Sequence, residues 1–179
     1  MEKNNTASLI IKMALLLMVI CAVVSAVLGS VNMITAPVIA DIAAAKTAAA
    51  YNEVLPTANG YEAVDYSDAN VTAVAKCAEG TVVEVSISGS QSMLSLAIGV
   101  DNDGVITGVS VIKHGETPGL GAVAADPTSK LRTTVIGQTS GLALTKKGGT
   151  VEPLTGATIT SQAVVDACQI AIDTAANLG

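Results

Sequence analysis

The feature that most constrains this chain is a long uncharged run near its N-terminus. No charged residue occurs from Met13 to Ala40, a stretch of 28 positions. As an α-helix the run would extend roughly 42 Å at ~1.5 Å per residue, which exceeds the ~30 Å hydrocarbon core of a bilayer. The run therefore predicts one transmembrane helix at residues 13–35, with Pro37 breaking or redirecting the chain after it.

The charges that flank the run indicate its orientation. Lys3 and Lys12 precede it, whereas Asp41 and Lys46 follow it. An excess of Lys on one flank is typical of the cytoplasmic side of a single span. We therefore expect residues 1–12 to be cytoplasmic and the rest of the chain to lie on the outer face of the inner, cytoplasmic membrane.

Two other interpretations of the run are open. It could be a signal peptide cleaved after Gly29, or a lipoprotein signal with Cys21 as the lipidated residue. A retained helix is favoured because the apolar run continues past Gly29 and because Ile20 stands where lipidation normally needs a small residue. Small residues recur at every fourth position at Ala22, Ala26 and Ser30. Such spacing allows close packing against helices of other membrane subunits, although an ordinary Ala-rich composition gives the same pattern.

Composition excludes several classes of protein. Half of the residues are hydrophobic and 13% are charged, which excludes general disorder. The chain has nine Lys and Arg against fifteen Asp and Glu, so it offers no basic surface to nucleic acid. Trp and Phe are absent, so it also lacks their aromatic rings as surfaces on which bases could stack. Cys21, Cys77 and Cys168 are far apart and predict no metal or iron–sulfur site, while a Cys77–Cys168 disulfide or two buried thiols both stay open.

The rest of the chain predicts an α+β fold with an antiparallel sheet and flanking helices. Residues 36–60 are Ala-rich and predict a linker helix from about Ile39 to Val54, and residues 61–179 predict one domain. β-branched and alternating segments predict its strands, the last two as a hairpin around Asp101–Gly104. The predicted strands are 71–77, 81–87, 93–100 and 105–112.

Two helices and a second hairpin complete the prediction. A short helix is expected at 128–136, and a long one at 161–177 with Thr160 or Ser161 as its N-cap. Leu142–Thr145 and Val151–Leu154 flank Lys147-Gly148-Gly149, which favours another hairpin.

Two segments are candidates for binding a ligand and are not ordinary turns. His114–Gly121 reads H-G-E-T-P-G-L-G, and its glycines allow close backbone approach to a flat or bulky group. Thr155–Ser161 reads T-G-A-T-I-T-S and enters the last helix. Four hydroxyls near a helix start suit a phosphate group, although a Ser/Thr-rich helix cap would look the same.

These two motifs, in this order behind one N-terminal span, resemble the FMN-binding domain of covalent flavoproteins. That domain occurs in the G subunit of Rnf electron-transport complexes and in the C subunit of sodium-pumping NADH:quinone reductases. The family carries Asp three residues before the second motif, and Glu152 stands there in this chain.

The resemblance implies a covalent cofactor. A separate flavin transferase would attach FMN to Thr158 as a phosphodiester, which makes the chain a phosphoprotein by chemistry. His114 would tune or protonate the flavin or be structural, and the ring would pack on Leu120, Met93 and Leu94. The further implied cofactor-binding residues are Thr155, Gly156, Ala157, Thr160, Ser161, Glu116, Thr117, Pro118 and Gly119.

The resemblance also implies a function. The chain would be an electron-relay subunit of an ion-translocating ferredoxin:NAD+ oxidoreductase, bound to other membrane subunits and without a complete active site, catalytic residue or metal of its own. The alternatives are a C-type subunit of a sodium-translocating NADH:quinone reductase, a stand-alone membrane-anchored flavin shuttle, and a non-redox pilin-like structural protein.

Overall fold

The computed structural model describes residues 3–66 and 68–178, with side chains from residue 8 onward. The first two residues of the predicted 1–12 segment, and residues 67 and 179 of the predicted 61–179 domain, lie outside the described residues. The chain forms two compact units that divide between Ala45 and Lys46, and each is described by itself.

The N-terminal helix α1 is one continuous element, Lys3–Val54, with Pro37 in its interior. The prediction that Pro37 breaks the helix was wrong, whereas a change of direction at Pro37 stays a prediction. Proline removes a single backbone donor, and the intrahelical hydrogen bonds on both sides of it hold the helix together. The predicted end at Val54 is confirmed, because Pro56 follows directly after Leu55.

Helix α1 has the character of a membrane span. In the described part of the chain, one helix, Ser8–Val54, is long and apolar enough to cross a bilayer. The large apolar side chains between Leu9 and Ile42 are all more than half exposed, so no protein core covers them. A bilayer would supply the apolar surroundings that these side chains lack.

The second unit contains a five-stranded antiparallel sheet in the order β1-β2-β3-β4-β5. The predicted α+β class is confirmed, as is the hairpin of β4 and β5, with β5 beginning one residue later than predicted. The short edge strand β1 was not predicted. The strands are β1 Glu62–Val64, β2 Val71–Cys77, β3 Gly80–Ser88, β4 Met93–Asp101 and β5 Ile106–Lys113.

The sheet buries both of its faces. Val83 and Val85 belong to the main core with the long C-terminal helix, whereas Val82 and Ala97 pack with the last turn of α1. Side chains alternate between the faces of a strand, which explains why Val82 and Val83, adjacent residues of β3, are both apolar and both buried.

The C-terminal end of α1 is fixed to the sheet by a close backbone approach. Gly99 and Gly108 are cross-strand partners, and a Cβ at either position would come within 2.7 Å of the Val54 backbone. The Thr107 hydroxyl donates a 2.6 Å hydrogen bond to the Val54 carbonyl, one of the acceptors that the helix end leaves free.

Two helices and two 3-10 turns follow the sheet. They are the 3-10 turn Gly121–Ala125, α2 Lys130–Val135, the 3-10 turn Thr145–Lys147 and α3 Thr158–Leu178. The predicted short helix is confirmed as α2, and the Ser129 hydroxyl accepts from the Arg132 amide at its start.

Two details of this region were predicted wrongly. In place of a hairpin at 142–154, the chain has a 3-10 turn and an isolated parallel bridge between Leu144 and Val151. Helix α3 begins at Thr158, so Thr160 and Ser161 lie in its first turn and are not its N-cap.

The two cysteines of this unit are free thiols. Cys77 is half-buried on β2, whereas Cys168 is fully buried on α3. Burial disfavours the thiolate and raises the pKa of Cys168 to about 12, so this thiol packs as a small apolar group.

Candidate functional site

Three segments of the second unit meet at the start of α3. They are the β3–β4 turn (residues 89–92), the glycine loop (residues 114–121) and the hydroxyl segment (residues 155–161). Contacts described below join the glycine loop to both of the others. The structure therefore brings together the two sequence motifs and adds the β3–β4 turn, which the sequence did not single out.

The four hydroxyls of the hydroxyl segment have different environments. Thr160 and Ser161 are fully buried, whereas Thr155 and Thr158 are exposed. The Ser161 hydroxyl donates to the Ala157 carbonyl at 2.8 Å and accepts from the Leu154 amide at 2.9 Å. Ser161 therefore holds the segment in shape, and only Thr155 and Thr158 present a hydroxyl to an incoming group.

Thr158 has a cation beside it. The Lys146 ammonium lies 3.4 Å from the Thr158 hydroxyl oxygen, and Thr158 is the first residue of α3. Free backbone N–H groups and the positive end of the helix dipole occur at such a position. An anionic group on Thr158 would meet positive charge from both sources.

The compact turn around residues 144–151 brings Lys146 there. Gly148 adopts a left-handed φ of +83°, and a Cβ on Gly149 would overlap the Ala143 carbonyl. Only glycines allow this turn, which explains the Gly148-Gly149 pair, a pattern that is also typical of a hairpin. Lys146 itself was missed, since nothing in the local sequence links it to Thr158.

The glycine loop contains a defined β-turn from Thr117 to Leu120. The Leu120 amide donates to the Thr117 carbonyl at 3.2 Å, with Pro118 second and Gly119 third at a φ of +76°. A proline at the second position followed by a left-handed glycine at the third is typical of a type II β-turn. Pro118 and Gly119 therefore shape the loop, while Leu120 is exposed at its end.

Glu116 lies at the centre of the three segments. One carboxylate oxygen, Oε1, accepts from the Gln91 amide at 3.0 Å and from the Ser92 amide at 3.2 Å. The other, Oε2, accepts from the Thr160 hydroxyl at 2.7 Å. Burial raises the pKa of this carboxyl, but the hydrogen bonds outweigh that effect and hold the pKa below its ordinary value. Glu116 is therefore an ionised group inside the protein.

Apolar side chains flank Thr158. A Cβ on Gly156 would lie 3.0 Å from the Leu120 side chain, and Gly156 has a left-handed φ of +76°. Leu120 and Ile159 are 44% and 64% exposed, which is high for side chains of this size. Met93 is also exposed, but Leu94 is buried in the core and was wrongly predicted to be available to a ring.

His114 lies in a different environment from the hydroxyl segment. Its exposed side chain lines a cavity of about 450 Å³ together with Lys46, Glu53 and Lys113. None of residues 155–161 lines this cavity. The role of His114 toward a flavin therefore stays a prediction.

Comparison with known proteins identifies the family. Residues 89–173 match the FMN-binding domain family, a range that begins at the β3–β4 turn and ends within α3. The G subunit of an ion-translocating oxidoreductase complex from Methanosarcina acetivorans is 36% identical, over 92% of this chain and 93% of that protein. The chain belongs to the family of these G subunits.

A second relative supports the assignment. The G subunit of a Na(+)-translocating ferredoxin:NAD(+) oxidoreductase complex from Acetobacterium woodii is 32% identical, over 94% of this chain and 93% of that protein. The resemblance to Rnf G subunits is thereby confirmed. The crystal structure of the C subunit of a Na(+)-translocating NADH-quinone reductase from Parabacteroides distasonis is similar with a TM-score of 0.47 and 22% identity, over 72% of this chain and 79% of that one.

Membership of the G-subunit family agrees with the features of both units. The family's complexes translocate ions, and the first unit here contains one helix long and apolar enough for a membrane. The second unit contains the match to the FMN-binding domain family, and its three segments meet at Glu116, beside the helical turn that exposes Thr158. The relatives are subunits of ion-translocating oxidoreductase complexes, and this chain shares their family and has one helix that is long and apolar enough to cross a membrane.

Proposed function

We propose that this chain is an electron-relay subunit of an ion-translocating ferredoxin:NAD+ oxidoreductase and carries FMN covalently on Thr158. The observation that carries the proposal is the environment of Thr158, a solvent-exposed hydroxyl with the Lys146 ammonium 3.4 Å away. The chain's relatives are G subunits of complexes of this kind.

The residues around Thr158 fit an attached FMN. The phosphodiester would carry a negative charge close to Lys146 and to the free N–H groups of α3. The exposed side chains of Leu120 and Ile159 offer apolar surface to the isoalloxazine ring. When bound, FMN supplies the ability to accept and release electrons, and the protein supplies its position and surroundings.

Attachment would be performed by a separate flavin transferase that uses FAD. The Thr158 oxygen forms a bond to the phosphorus atom of the FMN half, and the bond from that phosphorus to the bridging oxygen of the pyrophosphate breaks. AMP leaves, and the hydroxyl proton passes to the transferase or to water. No electrons are exchanged in this step, so the flavin keeps its oxidation state.

The remaining parts of the chain have proposed places as well. Residues 13–35 of α1 would span the cytoplasmic membrane, with residues 1–12 in the cytoplasm. Residues 36–60 would link the span to the FMN-binding domain at 61–179, on the outer face. The uncharged surface of α1 between Met13 and Ala40 would contact lipid and the membrane subunits that donate and accept electrons.

A matched pair of variants tests the proposal. Thr158→Ala removes the acceptor hydroxyl, and Thr155→Ala removes the other exposed hydroxyl of the same segment. Each full-length chain is produced with the transferase and examined for flavin fluorescence in a denaturing gel, where only covalent flavin stays with the protein. We expect fluorescence in the wild type and in Thr155→Ala, and none in Thr158→Ala. Equal fluorescence in both variants would overturn the assignment.

A further inference from the structure

Glu116 differs from an ordinary glutamate in its surroundings. Its side chain belongs to a residue only 5% exposed, and both carboxylate oxygens already accept hydrogen bonds from the protein. Its partners are two backbone amides of the β3–β4 turn and the Thr160 hydroxyl, all of them neutral. Neither ion pair in the described part of the chain includes Glu116.

The backbone around Glu116 leaves space for its carboxylate. A Cβ on Gly89 would lie 2.5 Å from Oε1, and a Cβ on Gly121 would lie 2.5 Å from Oε2 and 2.9 Å from the Thr160 hydroxyl. Any larger residue at either position would displace one oxygen from its donors. The two glycines and the carboxylate therefore form one arrangement that includes both the β3–β4 turn and α3.

The contact with Thr160 acts directly on the start of α3. Thr160 lies two residues after Thr158 in the same helical turn, and Ser161 fastens that turn to the backbone of Ala157 and Leu154. The turn is thus held from one side by Ser161 and from the other by Glu116. Thr158, which is exposed on the same turn, has its direction set by these two contacts.

We propose that Glu116 is a positioning residue for flavin attachment: its carboxylate ties the β3–β4 turn to Thr160 and so fixes the Thr158 hydroxyl for transfer of the FMN phosphate. This inference rests on the proposed function of Thr158. It gives Glu116 a role through Thr160, since the residue is only 5% exposed and both of its carboxylate oxygens accept hydrogen bonds from the protein. Group transfer depends steeply on the placement of the attacking oxygen, so a loose first turn would slow the reaction.

The test measures the rate of FMN transfer to Thr158 in the detergent-purified full-length chain. Purified flavin transferase and FAD are added, and the peptide that contains Thr158 is followed by mass spectrometry. Glu116→Ala removes the carboxylate and with it the hydrogen bonds from the β3–β4 turn and from Thr160. Thr160→Val removes a single hydroxyl with almost no change of side-chain volume. Glu116→Gln and Thr160→Ser are the conservative partners, because an amide can accept from the two backbone amides and donate to the Thr160 oxygen.

We expect a loss of at least about tenfold in the initial rate for Glu116→Ala and Thr160→Val, and a change within about threefold for Glu116→Gln and Thr160→Ser. Hydrogen exchange provides a second readout. The Gln91 and Ser92 amides should exchange faster in Glu116→Ala and at the wild-type rate in Thr160→Val, because only the former loses their acceptor.

Three outcomes decide the inference. The inference is overturned if the Glu116→Ala and Thr160→Val chains fold and are labelled at the wild-type rate. If Glu116→Ala does not fold, the comparison of Thr160→Val with Thr160→Ser decides. Slow transfer in Thr160→Val that Thr160→Ser restores would support it. A wild-type chain that is never labelled at Thr158 would instead overturn the proposed function, and this inference with it.

Discussion

The hydroxyl side chains of residues 155–161 differ in role although they differ little in sequence context. Residue type and the resemblance of the motif predicted the segment and Thr158. They could not distinguish the buried Ser161 from the exposed Thr155, because burial depends on how α3 packs against the sheet. The role of Glu116 was also hidden, since its donors in the β3–β4 turn lie far away in sequence.

Lys146 provides a prediction at the scale of one residue. Its ammonium lies beside the Thr158 hydroxyl, whereas Lys147 is its exposed neighbour in the same turn and has no such contact among the described side chains. We expect Lys146→Met to slow FMN attachment about three- to tenfold, because the transferred phosphate loses a nearby positive charge. Lys147→Met serves as the control and should stay close to the wild type.

The measurement is the initial rate of adduct formation by mass spectrometry at several salt concentrations. Added salt screens exposed charges, so the difference between the two lysine variants should shrink as ionic strength rises. Equal rates for Lys146→Met and Lys147→Met at low salt would show that Lys146 does not assist the phosphate.

At the scale of elements, strong local patterns predicted the structure well. The β-branched run of β3 and the Asp101–Gly104 turn specified strands and a hairpin, because turn chemistry and alternation act over a few residues. Prediction failed where distant contacts decide. The region 142–154 became a compact turn because Leu144 and Val151 are buried in the core, and a single Pro37 did not outweigh the rest of a long apolar helix.

The ion pair between Glu53 and Arg132 gives a prediction for the packing of α1 on α2. The guanidinium donates at 2.6 Å to a carboxylate that also accepts from the Ser110 hydroxyl, and the Arg132 side chain is 6% exposed. Glu53→Gln leaves a buried guanidinium without a counter-charge. We expect a loss of about 2–4 kcal/mol in the free energy of unfolding, measured by urea titration with the near-ultraviolet circular dichroism of the tyrosines.

An exposed pair serves as the matched control. Lys130 and Glu152 lie 3.2 Å apart with side chains 79% and 50% exposed, so Glu152→Gln should change the free energy of unfolding by less than about 1 kcal/mol. Similar losses for the two Glu→Gln variants would contradict the role given to the Glu53–Arg132 pair.

The effect of Glu53 should also depend on pH. Burial raises the pKa of its carboxyl, but the hydrogen bonds from Ser110 and Arg132 and the charge of Arg132 lower it further, so the folded pKa lies below the ordinary value. The stabilisation is then complete above the unfolded pKa of about 4.3 and is lost as the pH falls through the folded pKa. The difference between wild type and Glu53→Gln should therefore shrink when urea titrations are repeated at more acidic pH.

The whole molecule combines a long apolar helix with an FMN-binding domain. The sequence predicted both parts, because an uncharged run of this length has few alternatives and because two motifs in order specify the domain. It could not predict that the helix continues without a break until it reaches the sheet. The close approach of Val54 to Gly99 and Gly108 could not be predicted either, because these residues are distant in sequence.

The proposed orientation is tested at this scale. Asp103→Cys places a thiol in the exposed β4–β5 turn, and Asn4→Cys places one in the proposed cytoplasmic segment. A membrane-impermeant maleimide added to intact spheroplasts should label the cysteine at 103 and leave that at residue 4 unlabelled until the membrane is permeabilised. The reverse pattern would place the FMN-binding domain in the cytoplasm.

Peptide mass spectrometry of the chain purified from its own host tests the covalent flavin most directly. The peptide that contains Thr158 should carry an added mass equal to FMN less one water, and the same peptide from Thr158→Ala should carry none. The matched Thr155→Ala chain should retain the adduct. An unmodified Thr158 peptide from a host that makes an active flavin transferase, or an adduct that persists in Thr158→Ala, would contradict attachment at Thr158.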